Sequence, residues 1–277
     1  AFTVVGRKDP DDMGLDDIAP LVAEMRTSFE TGVSRPYAKR MEQLHALRRG
    51  LIEGKEKLLA ALHSDLGRPR FEANMYDYAI PLKEIEHMIS HLREWMRPES
   101  GGFSLLTFPS EDTVYHEPYG LALVLGTWNY PAMLTIVPMA GAIAAGNTVV
   151  LKPSNVSPAT AQFMADLCRD YLDPRVVSCI GTGIKGDRHT IQGLIQHKFD
   201  YIFFTGGVSV GRQVAEAAAK HLTPTTLELG GKNPVFVAAD ADLDLAAKRT
   251  VWGRMMNAGQ QCIAPDYVLC EEAVVPQ

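Results

Sequence analysis

Of the four cysteines in this 277-residue chain, one sits where a thiol could act as a nucleophile. Cys262 lies in Gly259–Pro265 (GQQCIAP), a polar turn expected between a helix ending near Asn257 and an extended run Tyr267–Cys270. The thiolate is the reactive form of cysteine, and partial exposure with backbone N–H groups nearby lowers the pKa that controls it. A glycine-flanked polar loop offers both. Cys168, Cys179 and Cys270 lack that setting and read as small buried hydrophobes.

Glu228 is the single carboxylate of Thr226–Lys232 (TLELGGK), an apolar strand that runs into a Gly-Gly turn. Its alternation between leucines fits two placements. On an edge strand Glu228 would face solvent; on an internal strand it would be buried, its pKa raised, and it would suit general-base work. Thr127–Pro131 (TWNYP) follows an expected strand and precedes an expected helix. The Asn129 amide there can donate to a developing oxyanion without titrating. Lys152 closes the strand in Val149–Ser154 (VVLKPS), where a cation meets ribose or phosphate. Phe204–Gly211 (FTGGVSVG) runs strand, glycine turn, helix start, an anion-binding geometry without the usual glycine spacing.

Other motifs carry less. Gly181, Gly183 and Gly186 match GxGxxG after an expected strand, with Asp200 further on as a ribose acid. That unit falls late in the sheet before a short polar helix, so a tight strand-to-helix turn is the better reading. Asp240, Asp242 and Asp244 open like a calcium loop, but Leu245 stands where glycine is needed and Val251 where glutamate is needed. These acids read instead as the N-terminal cap of the next helix. The histidines show no paired-ligand spacing and there is no CxxC, so no metal is expected.

The elements that must hold these residues follow from periodicity. Between Ile18 and Pro98, Met41, Leu44, Leu47, Leu51, Leu58 and Leu62 recur at helical spacing, which predicts a helical N-terminal layer. After a Gly- and Pro-rich loop, Thr113–Glu117 and Leu121–Leu125 read as extended runs in a hairpin-like element. Beyond Gly126 short strands alternate with helices, the pattern of a parallel α/β sheet. Strands are expected at Thr148–Leu151, Val176–Ile180, Tyr201–Phe204, Thr226–Leu229 and Pro234–Val237. Helices are expected at Met133–Ala145, Ser157–Leu172, His189–His197, Val208–Lys220 and Leu243–Asn257.

Apolar residues make up 46% and charged residues 22%, ordinary usage for one large domain or two small ones. Lys and Arg number 27 against 33 Asp and Glu, with no basic stripe, which argues against a nucleic-acid partner. The longest apolar stretch, around Leu121–Leu125, is broken by Gly126, Trp128, Asn129 and Pro131, well short of the roughly 20 residues that cross a bilayer. The opening residues have no apolar leader pattern and the cysteines read as reduced, so a cytoplasmic setting is expected.

Together these segments resemble the aldehyde dehydrogenase superfamily, most closely the class 3 branch that includes fatty aldehyde dehydrogenases. The resemblance spans essentially the whole chain. It rests on Gly126–Pro131 (GTWNYP), Gly141–Asn147 (GAIAAGN), Leu151–Ser154 (LKPS), Phe204–Gly207 (FTGG), Glu216–Pro224 (EAAAKHLTP), Leu227–Lys232 (LELGGK) and Gly259–Tyr267 (GQQCIAPDY). It implies an α/β fold with a Rossmann-like parallel sheet for the cofactor over residues 1–99 and 119–230, and a bridging and oligomerisation hairpin at 100–118. Residues 231–277 would start a second α/β catalytic domain whose remainder, including the family's later Glu-x-Phe segment, is not in this sequence.

The implied activity is NAD(P)-dependent oxidation of a fatty or aromatic aldehyde to a carboxylic acid, through a thioester on Cys262. Matched to the family motifs, Cys262 is the nucleophile, Glu228 the general base, and Asn129 the oxyanion donor together with the Cys262 N–H. Lys152 matches the lysine that contacts the adenosine ribose. Gly206, Gly207 and Gly211 match the turn and helix start near the pyrophosphate. Trp128, Ser154, Asn155, Gly183, Phe204 and Leu229 complete the expected cofactor set. Asn155 stands where most members have a glutamate that binds the ribose hydroxyls, so dual use of NAD and NADP is expected. The resemblance also implies a homodimer, with membrane contact only through a C-terminal tail if one follows. Two enzymatic alternatives use the same thioester, a CoA-acylating aldehyde dehydrogenase and an acyl reductase. The non-enzymatic alternative is a silent nucleotide-binding fragment.

Overall fold

The computed structural model describes residues 13–181 and 187–275. The N-terminal layer is α1 (Ile18–Glu30), α2 (Tyr37–Glu53), α3 (Lys55–Leu66), a short α4 (Arg70–Glu72) that continues as a π-helical turn over Ala73–Ala79, and α5 (Ile80–Trp95). Leu44, Leu47, Leu51, Leu58 and Leu62 are fully buried, as the helical spacing requires. Burying each contributes about 1.5–3 kcal/mol. Gly67, in the left-handed conformation with φ 61°, ends α3.

The expected hairpin differs in its pairing. Two-residue strands β1 (Glu99–Ser100) and β2 (Thr113–Val114) pair antiparallel with each other. The apolar run after them, β3 (Leu121–Leu125), joins no hairpin; it takes the central position of a five-stranded parallel sheet. Five consecutive buried residues account for that: Leu121, Leu123 and Leu125 face one core and Val124 the other, so the strand needs cover on both sides.

The sheet is completed by β4 (Thr148–Lys152), β5 (Val177–Cys179), β6 (Tyr201–Thr205) and β7 (Thr225–Glu228), in the order β5-β4-β3-β6-β7. The crossovers are α6 (Met133–Ala145), α7 (Pro158–Tyr171), α8 (Asp187–Ile195) and α9 (Val208–Ala219). One core packs residues of α2, α3, α5, α6 and α7 against the sheet, and the other packs α1, α8 and α9 against its opposite face. Beyond Gly231 a smaller unit follows, with β8 (Asn233–Val237) and β9 (Pro265–Cys270) parallel and joined through α10 (Leu243–Met255). Asp242 caps α10 by accepting from the Leu245 N–H at 3.0 Å, the role expected of that acidic run. No helix of the described residues is long and apolar enough to cross a membrane.

Candidate active site

Leu125 lies level with Lys152 on one side and Phe204 on the other, and Thr205 lies level with Glu228. Four strands therefore finish at one edge of the sheet. The strand order reverses between β3 and β6, and at such a switch point a crevice opens outside the carboxyl ends of the strands. There a cavity of about 470 Å³ is lined by Gly126–Asn129 after β3, Ser154 after β4, Thr205–Gly207 from the last residue of β6, Glu228–Gly230 from the last residue of β7, and Gly259–Cys262.

Cys262 is exposed on a loop held under strain. After α10, Asn257, Ala258 and Gly259 are all left-handed, with φ of 50°, 53° and 76°. A left-handed conformation costs a residue such as alanine about 1–2 kcal/mol, so the turn persists because its neighbours fix it. Gln261 Nε2 donates to the Gly253 and Met256 carbonyls at 3.1 and 2.9 Å, folding the loop back on α10. Asn233 Nδ2 donates to the carbonyls of Cys262 and Ala264 at 2.8 and 3.0 Å, tying the loop to the start of β8. A Cβ on Gly231 would sit 2.8 Å from the Cys262 oxygen, so the Gly-Gly turn after Glu228 packs directly on the cysteine loop. Cys168 and Cys179 are buried as expected; Cys270 is exposed, because among the described residues nothing covers that side of β9.

Glu228 ends β7, which among the described residues is the edge of the sheet, and its side chain is exposed. The internal, buried placement is thus not adopted. What qualifies Glu228 is position, since it lines the same cavity as Cys262. Asn129 lines it too, half-buried, with Nδ2 donating to the Gln260 carbonyl at 2.9 Å, two residues before the thiol.

A family model described as the aldehyde dehydrogenase family matches residues 9–277. The chain belongs to the aldehyde dehydrogenase family. It is 43% identical over 263 residues to the dog "Aldehyde dehydrogenase, dimeric NADP-preferring", covering 95% of this chain and 57% of that protein. It is 46% identical over 256 residues to the mouse "Aldehyde dehydrogenase family 3 member B2", covering 91% of this chain and 53% of that protein. Among solved structures, the substrate-bound state of Staphylococcus aureus AldH superposes with a TM-score of 0.88 at 36% identity, covering 93% of this chain and 55% of that one. The chain spans about half the length of the curated relatives it matches.

Aldehyde dehydrogenases use NAD or NADP, and the half of the cavity away from Cys262 fits a dinucleotide. Gly207 caps α9 with no side chain over the helix N-terminus, and a Cβ there would meet nothing within 4 Å. Beside it the hydroxyl of Thr205 is buried without a hydrogen-bond partner, at the rim where an oxygen-rich ligand would lie. Trp128, Ser154, Phe204, Gly206, Gly207 and Leu229 all line the cavity. Gly211 sits behind it in α9, where a Cβ would strike Leu229 at 2.7 Å. Lys152 and Asn155 do not line it. The Lys152 side chain is turned under the loop, 1% exposed, donating to the Pro153 carbonyl at 2.8 Å and to Asn155 Oδ1 at 3.2 Å. Burial brings its pKa down to about 7. Gly183 and Gly186 lie outside the described residues; Gly181 before them is left-handed at φ 95°.

Sequence reasoning missed a buried polar network beneath the cavity. Arg68 and Asp77, with side chains 1% and 0% exposed, form an ion pair. Asp77 Oδ1 also accepts from the Ala132 and Met133 N–H groups at 2.9 Å each, at the start of α6. Burial pushes the Asp77 carboxyl up, against the pull of Arg68 and those amides. Arg68 further donates to the Asn129 carbonyl and to Asn257 Oδ1, and its guanidinium stacks 4.8 Å over the Tyr130 ring. In the sequence Arg68 is one cation among many in a helical layer. The nearest signal is its place between Gly67 and Pro69, two residues that interrupt helices.

Proposed function

We propose that the protein oxidises an aldehyde to the corresponding carboxylic acid with NAD or NADP as the electron acceptor. The observation that carries this reading is that Cys262, Glu228 and Asn129 share one cavity with an open helix N-terminus. The Cys262 thiolate adds to the aldehyde carbon, forming a C–S bond and leaving a negative oxygen. Asn129 Nδ2 and the Cys262 N–H are the donors suited to that oxyanion. A bound dinucleotide would supply the two-electron acceptor for the hydrogen of the adduct's C–H bond, whose loss as hydride leaves a thioester on Cys262. Gly206, Gly207 and the start of α9 would hold its pyrophosphate, Thr205 and Ser154 flanking it. Glu228, open to the cavity, takes a proton from water as it attacks the thioester, releasing the acid and restoring the thiol. A carboxylate at that position favours hydrolysis over transfer of the acyl group to CoA.

A fatty or aromatic aldehyde is the substrate class that the resemblance to the class 3 branch implies, and it is the class proposed here. The dog relative's name includes "dimeric", which supports a homodimer here. The deciding experiment is Cys262→Ser in the intact protein, assayed with a fatty aldehyde and either cofactor. Loss of activity with cofactor binding retained is expected; a tenth or more of the wild-type rate, to about one digit, would move the nucleophile elsewhere.

A further inference from the structure

The cysteine loop and the oxyanion loop are far apart in sequence, yet one side chain bonds to both. Arg68 Nη2 donates to the Asn129 carbonyl and, at 2.6 Å, to Asn257 Oδ1; its Nε reaches the same Oδ1 at 3.1 Å. Asn257 in turn donates from Nδ2 to the Asn129 carbonyl at 3.0 Å and to the Gln260 carbonyl at 3.2 Å. Its own N–H is held by Glu72 Oε2 at 3.2 Å. Asn257 is also the first residue of the left-handed run that leads to Cys262. Arg68 itself cannot swing away, because Asp77 fixes Nη1 and is anchored on the first amides of α6.

We propose that Arg68 is a positioning residue: braced by Asp77, it clamps the Asn129 main chain and the Asn257 turn in one register, and so sets where the Cys262 thiol stands relative to the oxyanion donors. This rests on the activity proposed above, but the clamp acts on the loops whether or not aldehyde is present. Arg68 touches neither thiol nor substrate. Its effect is transmitted through Asn257 and Asn129. A guanidinium suits the task because its fixed fork satisfies three acceptors at set angles, and because burial prevents water from replacing any of them. Asn257 suits its half because asparagine tolerates positive φ and carries both a donor and an acceptor.

The test uses Arg68→Met and Asn257→Gly, singly and together, in the intact protein on a Cys270→Ser background. Glycine keeps the left-handed turn accessible while removing the side chain, so Asn257→Gly remains informative if Arg68→Met does not fold. Three quantities are read well below each variant's Tm: kcat, KM for the cofactor, and the rate of Cys262 alkylation by iodoacetamide without aldehyde or cofactor, followed by peptide mass. Each single variant is expected to lower kcat about tenfold or more with cofactor KM within about twofold. Alkylation is expected to change about fivefold or more, in either direction, as the thiol leaves the place the clamped loop gives it. The double variant should lose no more than the worse single one, since both cut one clamp. Additive losses, or a lower Tm with kcat and alkylation unchanged, would overturn the proposal and leave Arg68 a structural residue. If wild type oxidises no aldehyde, the activity reading fails while the alkylation rates still decide the clamp.

Discussion

Alanine at position 231 would bring its Cβ to 2.8 Å from the Cys262 carbonyl oxygen and 2.8 Å from Asn233 Oδ1. Ordinary van der Waals contact starts near 3.4 Å, so the gap must open by about 0.6 Å. Asn233 cannot step aside cheaply, because its Nδ2 holds the same Cys262 carbonyl and that of Ala264. The cysteine loop is therefore the part that moves. Gly231 is not among the residues with positive φ, so the perturbation is contact alone, uncomplicated by backbone strain. A misplacement near 1 Å of a reacting group costs about a hundredfold in rate, which puts Gly231→Ala at about a tenfold to hundredfold loss of kcat. The glycine turn at Gly206–Gly207 lies on another strand and should keep its cofactor affinity. The assay is steady-state oxidation of a fatty aldehyde, with cofactor Kd from fluorescence titration. A kcat within about twofold of wild type would show that the turn does not set the position of the thiol.

Two further outcomes follow from the Lys152 loop. Asn155→Glu places a carboxylate beside the cation now bonded to Asn155 Oδ1. Asn155 does not line the cavity, so a carboxylate there acts on a 2′-phosphate only through screened, long-range repulsion, and the NADP-to-NAD ratio of kcat/KM should change by less than about threefold; a loss of about tenfold with NADP would place the adenosine ribose against Asn155 itself. Lys152→Met addresses the buried charge. The folded-state pKa of about 7 lies below the ordinary lysine value of 10.5, so between these two pH values the unfolded chain binds more protons and wild-type stability rises with pH. The stability gained by Lys152→Met should therefore be largest near pH 6 and shrink toward pH 10, by at most about 1.4 kcal/mol per unit. Thermal denaturation of both proteins across that range checks it, and a pH-independent difference would contradict the buried-charge reading.

The parts of the site that lie at strand ends were legible because each is local. Glycine turns follow short apolar runs at Gly126, Gly206 and Gly230, and the βαβ alternation forces their strands to run parallel, so those turns gather at one edge. The placement of Leu121–Leu125 was not legible: a five-residue apolar run bounded by Gly120 and Gly126 fits a hairpin arm as well as a central strand, and only the crossover order decides. Glu228 shows the same limit, since alternation between leucines says which face it takes and not whether its strand lies inside the sheet or at its edge. Arg68 is the clearest loss. Its partners Asp77, Asn129 and Asn257 lie up to 189 residues away, and no periodicity connects a residue between two helices to a turn that far along.

Covalent turnover on Cys262 has a direct measurement in Glu228→Gln, mixed rapidly with excess aldehyde and cofactor in the intact protein. If Cys262 carries the acyl group and Glu228 releases it, reduced cofactor should appear in a burst close to one equivalent per site, steady turnover should fall about a hundredfold or more, and intact mass should show one acyl group on the Cys262 peptide. A burst and steady rate slowed together, with no acyl group on Cys262, would contradict it.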